Sequence, residues 1–164
     1  MKRLILVRHA KSDLNQPLVS DHNRILSESG RMDAKLIGQY LYNNHYFPSH
    51  IISSSAIRTL ETSKIIIKEI GFKNSIEKQS LIYTDSTIEI LNFICDIDNN
   101  YESVMLVGHN PTITELINHI TNIKIDYMPT CGIAIIEFEK NWMDINKNGQ
   151  LIDFMYPKKI KENQ

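Results

Sequence analysis

The chain has no long apolar run, no surplus of one charge and no set of cysteines, and each absence closes off a class of function. A membrane-spanning helix needs about 20 consecutive apolar residues, and nothing of that length occurs. The opening Met1-Lys2-Arg3-Leu4-Ile5-Leu6-Val7 begins like a secretory leader. Arg8, His9 and Lys11 end its apolar part far too early for one. A formal net charge of −1 and a pI near 6.6 argue against a nucleic acid or a membrane surface as partner, so any anion site has to be local. Cys95 and Cys131 are the only cysteines in 164 residues, which suits a reducing cytoplasm better than a disulfide scaffold. No linker, repeat or low-complexity segment interrupts the chain. Residues 1–164 are therefore expected to form a single domain, large enough to bury its own core and expected as a monomer.

Short β-rich apolar runs alternate with segments of helical period, the pattern of an α/β fold with helices on both faces of a mostly parallel sheet. Leu4-Ile5-Leu6-Val7 reads as a strand buried on both faces. Ser27 is placed to cap a helix with Met32, Leu36, Ile37, Tyr40 and Leu41 as its apolar positions, stopping near Asn43-Asn44. Ile51-Ile52 is a second strand, and a helix comes next with Arg58 in its first turn and Gly71 as its stop. Ser86-Thr87-Ile88-Glu89 is a capping box opening a helix to about Ile97, with Ile90, Leu91 and Ile94 facing inward. Val104-Met105-Leu106-Val107 is another buried strand, after which Asn110 is expected as N-cap and Pro111 as the first helical residue. The tail reads as a hairpin of residues 132–138 and 151–155 around an Asn148-Gly149 turn.

In such sheets ligands gather beyond the carboxyl ends of the strands. The first strand delivers Arg8 and His9 there, the second leads to Arg58, and the third delivers His109. Two guanidiniums and two imidazoles suit a phosphoryl group, whose transition state spreads negative charge over oxygens that planar arginine forks can meet in pairs. A neutral imidazole is also a competent nucleophile near neutral pH. His9 can thus take the phosphoryl group and later yield it to water, with neither cofactor nor metal.

Three segments carry a family resemblance: Leu6-Val7-Arg8-His9-Ala10-Lys11-Ser12, Ser53-Ser54-Ser55-Ala56-Ile57-Arg58-Thr59-Leu60-Glu61-Thr62 and Val107-Gly108-His109-Asn110-Pro111. Together they resemble the histidine phosphatase, or phosphoglycerate-mutase-like, superfamily. Arg-His-Ala-Lys-Ser, Gly-His-Asn-Pro, Pro129-Thr130 and Trp142 point within it to the short bacterial phosphohistidine phosphatases. The resemblance implies a three-layer sandwich, His9 as nucleophile, and Arg8, Arg58 and His109 as phosphate ligands. It also places Ser12, Asn15 and Asn110 near the substrate. Two departures stand out. Arg24-Ile25-Leu26 replaces the family's Arg-Pro-Leu, and the carboxylic acid that larger members use on an oxygen leaving group has only Asp85 as a candidate. Cleavage of a nitrogen–phosphorus bond releases imidazole and needs less help, which favours phosphohistidine on a protein as the substrate.

Other chemistries fit less well. His22, His45, His50 and His119 have no partner spacing and read as surface or packing residues, and no His-x-His or Glu-x-x-His supports zinc. Asp96-Ile97-Asp98 comes after a helix, unlike an aspartyl nucleophile. Neither cysteine has an arginine six residues on, Cys95 leading to Tyr101 and Cys131 to Glu137. Lys11 and Arg24 could dock an acidic partner. The rival functions are a small-molecule phosphomonoesterase or mutase of the same superfamily and a phosphate-recognition module without turnover.

Overall fold

A computed structural model describes residues 1–84, 86–139, 141–146 and 149–164. In chain order the main elements are β1 (Lys2–Arg8), α1 (Glu28–Asn43), β2 (His50–Ser54), α2 (Ile57–Ile70), β3 (Glu77–Gln79), α3 (Leu81–Thr84), α4 (Thr87–Cys95), β4 (Ser103–Gly108), α5 (Thr112–Thr121), β5 (Ile133–Phe138), β6 (Gln150–Met155) and α6 (Pro157–Glu162). The strands form one sheet in the order β3-β2-β4-β1-β5-β6. β3, β2, β4 and β1 run parallel, while β5 pairs antiparallel with both β1 and β6.

Alternation along β1 explains the three layers. Leu4 and Leu6 point into one core with Ile90, Ile94, Leu116 and Ile117 from α4 and α5. Ile5 and Val7 point into the other with Ala34, Ile37, Leu41 and Ile66 from α1 and α2. Both faces are dry, which is why the run shows no polar alternation. Each such side chain contributes roughly 1.5–3 kcal/mol by leaving water. Leu6→Ala should cost about 2–5 kcal/mol, because a fully buried side chain leaves a cavity behind.

The caps behave as their residues dictate. The Ser27 hydroxyl accepts the Gly30 N–H at 3.0 Å, the Ser86 and Glu89 side chains close a reciprocal box, and Gly71 ends α2 in the left-handed region at φ 70°. Two details here depart from the sequence reading. Met32 lies out in solvent at 67 % exposure, and α1 buries Gly30, Ala34, Ile37, Gly38 and Leu41 instead. Close packing on α2 demands small residues here, since a Cβ on Gly38 would lie 2.7 Å from that of Glu69. At α5 the N-cap is Pro111, with Thr112 first in the helix, because the Asn110 side chain is engaged elsewhere. Its amide donates to the Met128 carbonyl at 2.9 Å and its oxygen accepts from the Thr114 hydroxyl at 3.0 Å.

β5 and β6 are antiparallel neighbours as expected. Residues 139–149 connect them and include a 3-10 turn at Trp142–Asp144 that sinks the Trp142 ring into the core, its indole N–H donating to the Tyr101 carbonyl at 3.0 Å. Asn148 of the expected turn lies outside the described residues. The short β3, α3, α6 and a 3-10 turn at Asp21–Asn23 carry too little periodicity to be read from sequence. Among the described residues, no helix is long and apolar enough to cross a membrane.

Candidate active site

β1, β2 and β4 end side by side, and the segments leaving their carboxyl ends meet in one cleft of about 350 Å³. Its walls include Arg8, His9, Ser12, Arg24, Arg58 and His109.

His9 is pinned through its backbone. Its N–H donates to the Gly108 carbonyl at 3.1 Å, and its carbonyl accepts from the Cys131 N–H at 3.0 Å. The next residues are held by α1 and α2. Thr62 takes the Ala10 N–H at 3.0 Å while its hydroxyl donates to the Arg58 carbonyl at 2.7 Å. The Lys11 carbonyl accepts both the Ser27 N–H and hydroxyl, at 2.9 and 3.1 Å. Gly30 permits that approach, since a Cβ there would stand 2.1 Å from the Lys11 oxygen. Glu61 receives the Leu26 N–H at 2.7 Å and Arg31 at 2.7 Å, which ties down the far end of the loop. The Arg58–Thr62 segment thus holds the strand-end loop in place as well as sending one guanidinium into the cleft.

The imidazole of His9 lies 2.7 Å from the Ala10 carbonyl through Nδ1 and 3.3 Å from the Arg58 Nε through Nε2. A carbonyl only accepts and a guanidinium only donates, so Nδ1 carries the proton and Nε2 keeps its lone pair. Burial, then the positive fields of Arg58, Arg8 and Arg24, push the His9 pKa down to about 4 against the pull of the Ala10 carbonyl. The ring is neutral at pH 7. His109 stands 5.3 Å away between ring centroids. Burial first, then His9 and Arg58, bring its pKa to about 3. Its Nδ1 faces Arg58 Nη2 at 3.4 Å and its Nε2 faces the fully buried Ser54 hydroxyl at 2.8 Å, a pairing that puts the proton on Nε2.

Arg8 gives Nη1 to the Tyr127 hydroxyl and to the Met128 carbonyl at 3.0 Å, and its guanidinium lies 4.9 Å from the centre of the Tyr127 ring. Its buried Nε has no hydrogen-bond partner among the described residues. Such a donor is costly to leave unmade. Arg58 is buried and reaches the Asp21 carbonyl at 2.7 Å and carboxylate at 3.1 Å.

Of the residues singled out in the sequence, Arg8, His9, Ser12, Arg58, His109 and Asn110 line this cleft. The Ser12 hydroxyl accepts from Arg24 at 2.7 Å. Asn15 does not line it; the residue is exposed and donates its N–H to Asp13 at 2.9 Å. Asp85 lies outside the described residues. Asp21 and Tyr83 escaped sequence reasoning. The Asp21 carboxylate binds Arg24 at 2.6 Å, Arg58, and the Tyr83 hydroxyl at 2.8 Å. The Tyr83 hydrogen bond, then the two arginines, hold Asp21 well below the usual carboxylate range. The Asp21–Arg24 pair is local, but Arg58 and Tyr83 lie 37 and 62 residues from Asp21, so no spacing signal linked Asp21 and Tyr83 to the site. His22 packs beside them, bonded to Ser55 at 2.9 Å and edge-on against Tyr83, the packing role expected of it.

Residues 4–82 match the model of the histidine phosphatase superfamily, branch 1. The chain is 29% identical to an uncharacterized chloroplastic protein of Arabidopsis thaliana over 86% of its own length and 69% of that protein. It superposes with a TM-score of 0.83 at 28% identity on a candidate phosphohistidine phosphatase, SixA, of Agrobacterium tumefaciens, covering 95% of this chain and 98% of that one. At 17% identity, with 96% and 99% covered, it shares the fold of a protein histidine phosphatase SixA solved with tungstate, with a TM-score of 0.85. Residues 4–82 thus carry the likeness to the histidine phosphatase superfamily, and the three-layer α/β fold of the chain is the phosphoglycerate-mutase-like one.

Proposed function

We propose that this protein hydrolyses phosphohistidine on a protein substrate through a covalent phospho-His9 intermediate. The observation that carries the reading is the His9 ring, with Nδ1–H held by the Ala10 carbonyl and the Nε2 lone pair turned toward Arg58 in the cleft. In the first step Nε2 attacks phosphorus while the bond from phosphorus to the leaving imidazole breaks, and that imidazole leaves with the bonding pair and takes a proton from water. In the second step water attacks the phosphoryl group on His9, the N–P bond breaks back to Nε2, and inorganic phosphate departs.

The other groups act on charge. Arg58 and the unpartnered Nε of Arg8 supply donors to the equatorial oxygens, where positioned donors supply the largest share of the rate. His109 is neutral because burial, and then the field of His9 and Arg58, lower its pKa. A phosphate dianion reverses that field, so His109 becomes a proton-bearing phosphate ligand as substrate enters. Ser12 and Asn110 line the cleft as lesser contacts. The cleft is open at one side, which suits a side chain presented by another protein better than a metabolite that needs enclosure.

The test is a panel of a histidine-phosphorylated phosphotransfer domain, phosphoramidate, phosphoserine and a phosphoglycerate, with acid-quenched trapping of the phosphoenzyme. Phosphohistidine should lead in kcat/KM by at least about a hundredfold, the lower range for one missing general acid. Faster turnover of phosphoglycerate would assign the protein to small metabolites. A wild-type protein that binds phosphate but forms no phosphoenzyme would be a recognition module.

A further inference from the structure

The loop between Ser12 and Leu26 is anchored to the protein and carries exposed apolar residues. Arg24 is bonded to Ser12 and Asp21 to Arg58 and Tyr83, and the loop is pinched shut by the Asp13 N–H on the Ile25 carbonyl at 2.9 Å. Leu18 is 99 % exposed, Leu14 76 % and Val19 39 %, beside the exposed polar Asn15 and Ser20. Exposed apolar side chains on an anchored frame mark a contact surface. Leu14 also forms part of the cleft wall, and the exposed Tyr127 ring lies against Arg8, itself a lining residue.

We propose that Leu18, with Leu14 and Val19, forms a docking lip for the folded protein that carries the phosphohistidine. The inference rests on the phosphohistidine reading. His9 is only 9 % exposed at the floor of the cleft. A histidine side chain is short, so a phosphorylated imidazole that reaches His9 brings its own backbone down onto the rim, and the surface around it must cover the lip. The partner surface beside its phosphohistidine is therefore apolar. A second copy of this chain seated on the lip would close the cleft it is meant to serve. An anionic bilayer is attracted by clustered cations, whereas Pro17-Leu18-Val19-Ser20 carries none.

Leu18→Asp tests this without touching the cleft, since that side chain packs on nothing. Against the histidine-phosphorylated phosphotransfer domain, KM should rise about tenfold, the factor that part of one buried leucine supplies, with kcat unchanged. Against phosphoramidate neither constant should move, and Leu18→Met should restore the wild-type KM. Equal shifts on both substrates, or none on the protein, overturn the lip. Loss of anionic-vesicle binding or of a dimer in Leu18→Asp, with KM unmoved, also overturns it and reassigns the surface. If the wild type cleaves phosphoramidate but not the phosphoprotein, the phosphohistidine reading falls and the lip with it; cleavage of both without a Leu18 effect removes the lip alone.

Discussion

The two ends of β1 carry similar residues and treat them in opposite ways. At its start Arg3 gives Nε and Nη2 to the Glu137 carboxylate at 2.9 and 2.6 Å, and Lys2 is taken up by the carbonyls of Asn99 and Tyr101 and by Glu102. At its end Arg8 meets a phenol and a carbonyl, leaves Nε unpartnered and helps depress the adjacent imidazole. The histidines repeat the contrast. His50, opening β2, bonds Glu77 at 2.6 Å and stacks on Tyr101 at 4.2 Å, while His9 and His109 face a guanidinium. Cations matched by carboxylates hold the sheet together. Cations crowded against imidazoles are costly in the empty protein, and a bound dianion relieves them.

The largest test of that contrast is His9→Ala. Among the described residues the other imidazole of the cleft, His109, is held between Ser54 and Arg58, so the phosphoenzyme should vanish and turnover fall by at least about a thousandfold. Residual turnover within about tenfold of wild type would break the comparison at its centre. Next come the arginines. Arg58→Ala or Arg8→Ala should lower kcat/KM by about a hundredfold or more, the loss typical of one oxyanion donor. Arg3→Ala, at the balanced end, should leave kcat/KM within about twofold and cost about 1 kcal/mol in urea unfolding. Similar kinetic losses at both ends would mean that the charge pattern says nothing about where chemistry occurs.

The pH dependence sharpens the comparison further. The folded pKa of His9 is about 4 against 6.5 for the free side chain, so below pH 6.5 the unfolded chain binds a proton that the native state refuses. Stability is therefore fully present above pH 6.5 and is lost as pH falls from 6.5 toward 4, by about 3 kcal/mol for this group. Denaturant titrations of wild type and His9→Gln over that range should diverge by about this much, and NMR titration should find the His9 ring neutral at about pH 5.5. The smallest effect concerns the thiols. Burial raises the pKa of both cysteines, Cys131 the more strongly, so neither is an activated nucleophile. Iodoacetamide treatment should leave turnover within about twofold, as measured on protein with unchanged circular dichroism.

Much of this was legible because the relevant signals are local. The strand runs Leu4-Val7 and Val104-Val107, the caps Ser27 and Ser86, the stop at Gly71 and the residues closing each strand all depend on near neighbours. Two readings failed for the same reason. Met32 fits an apolar stripe by period, and Asn110 fits an N-cap by type, yet a helix packed through Gly38 and a side chain drawn to Met128 override both. In each case a partner distant in sequence prevailed over a local preference.

That strands would end in Arg8-His9, near Arg58 and at His109 was already settled by the order of residues, because strand length and capping depend on adjacent positions. Which nitrogen of His9 keeps its lone pair was not, nor was the hold of Ser54 on His109 or the gathering of Arg58 and Tyr83 by Asp21. The exposure of Leu14 in the cleft wall and of Leu18 on the same loop likewise emerges only in three dimensions. These are matters of protonation, pairing and exposure, set by fields and contacts between segments that meet only after the sheet has closed.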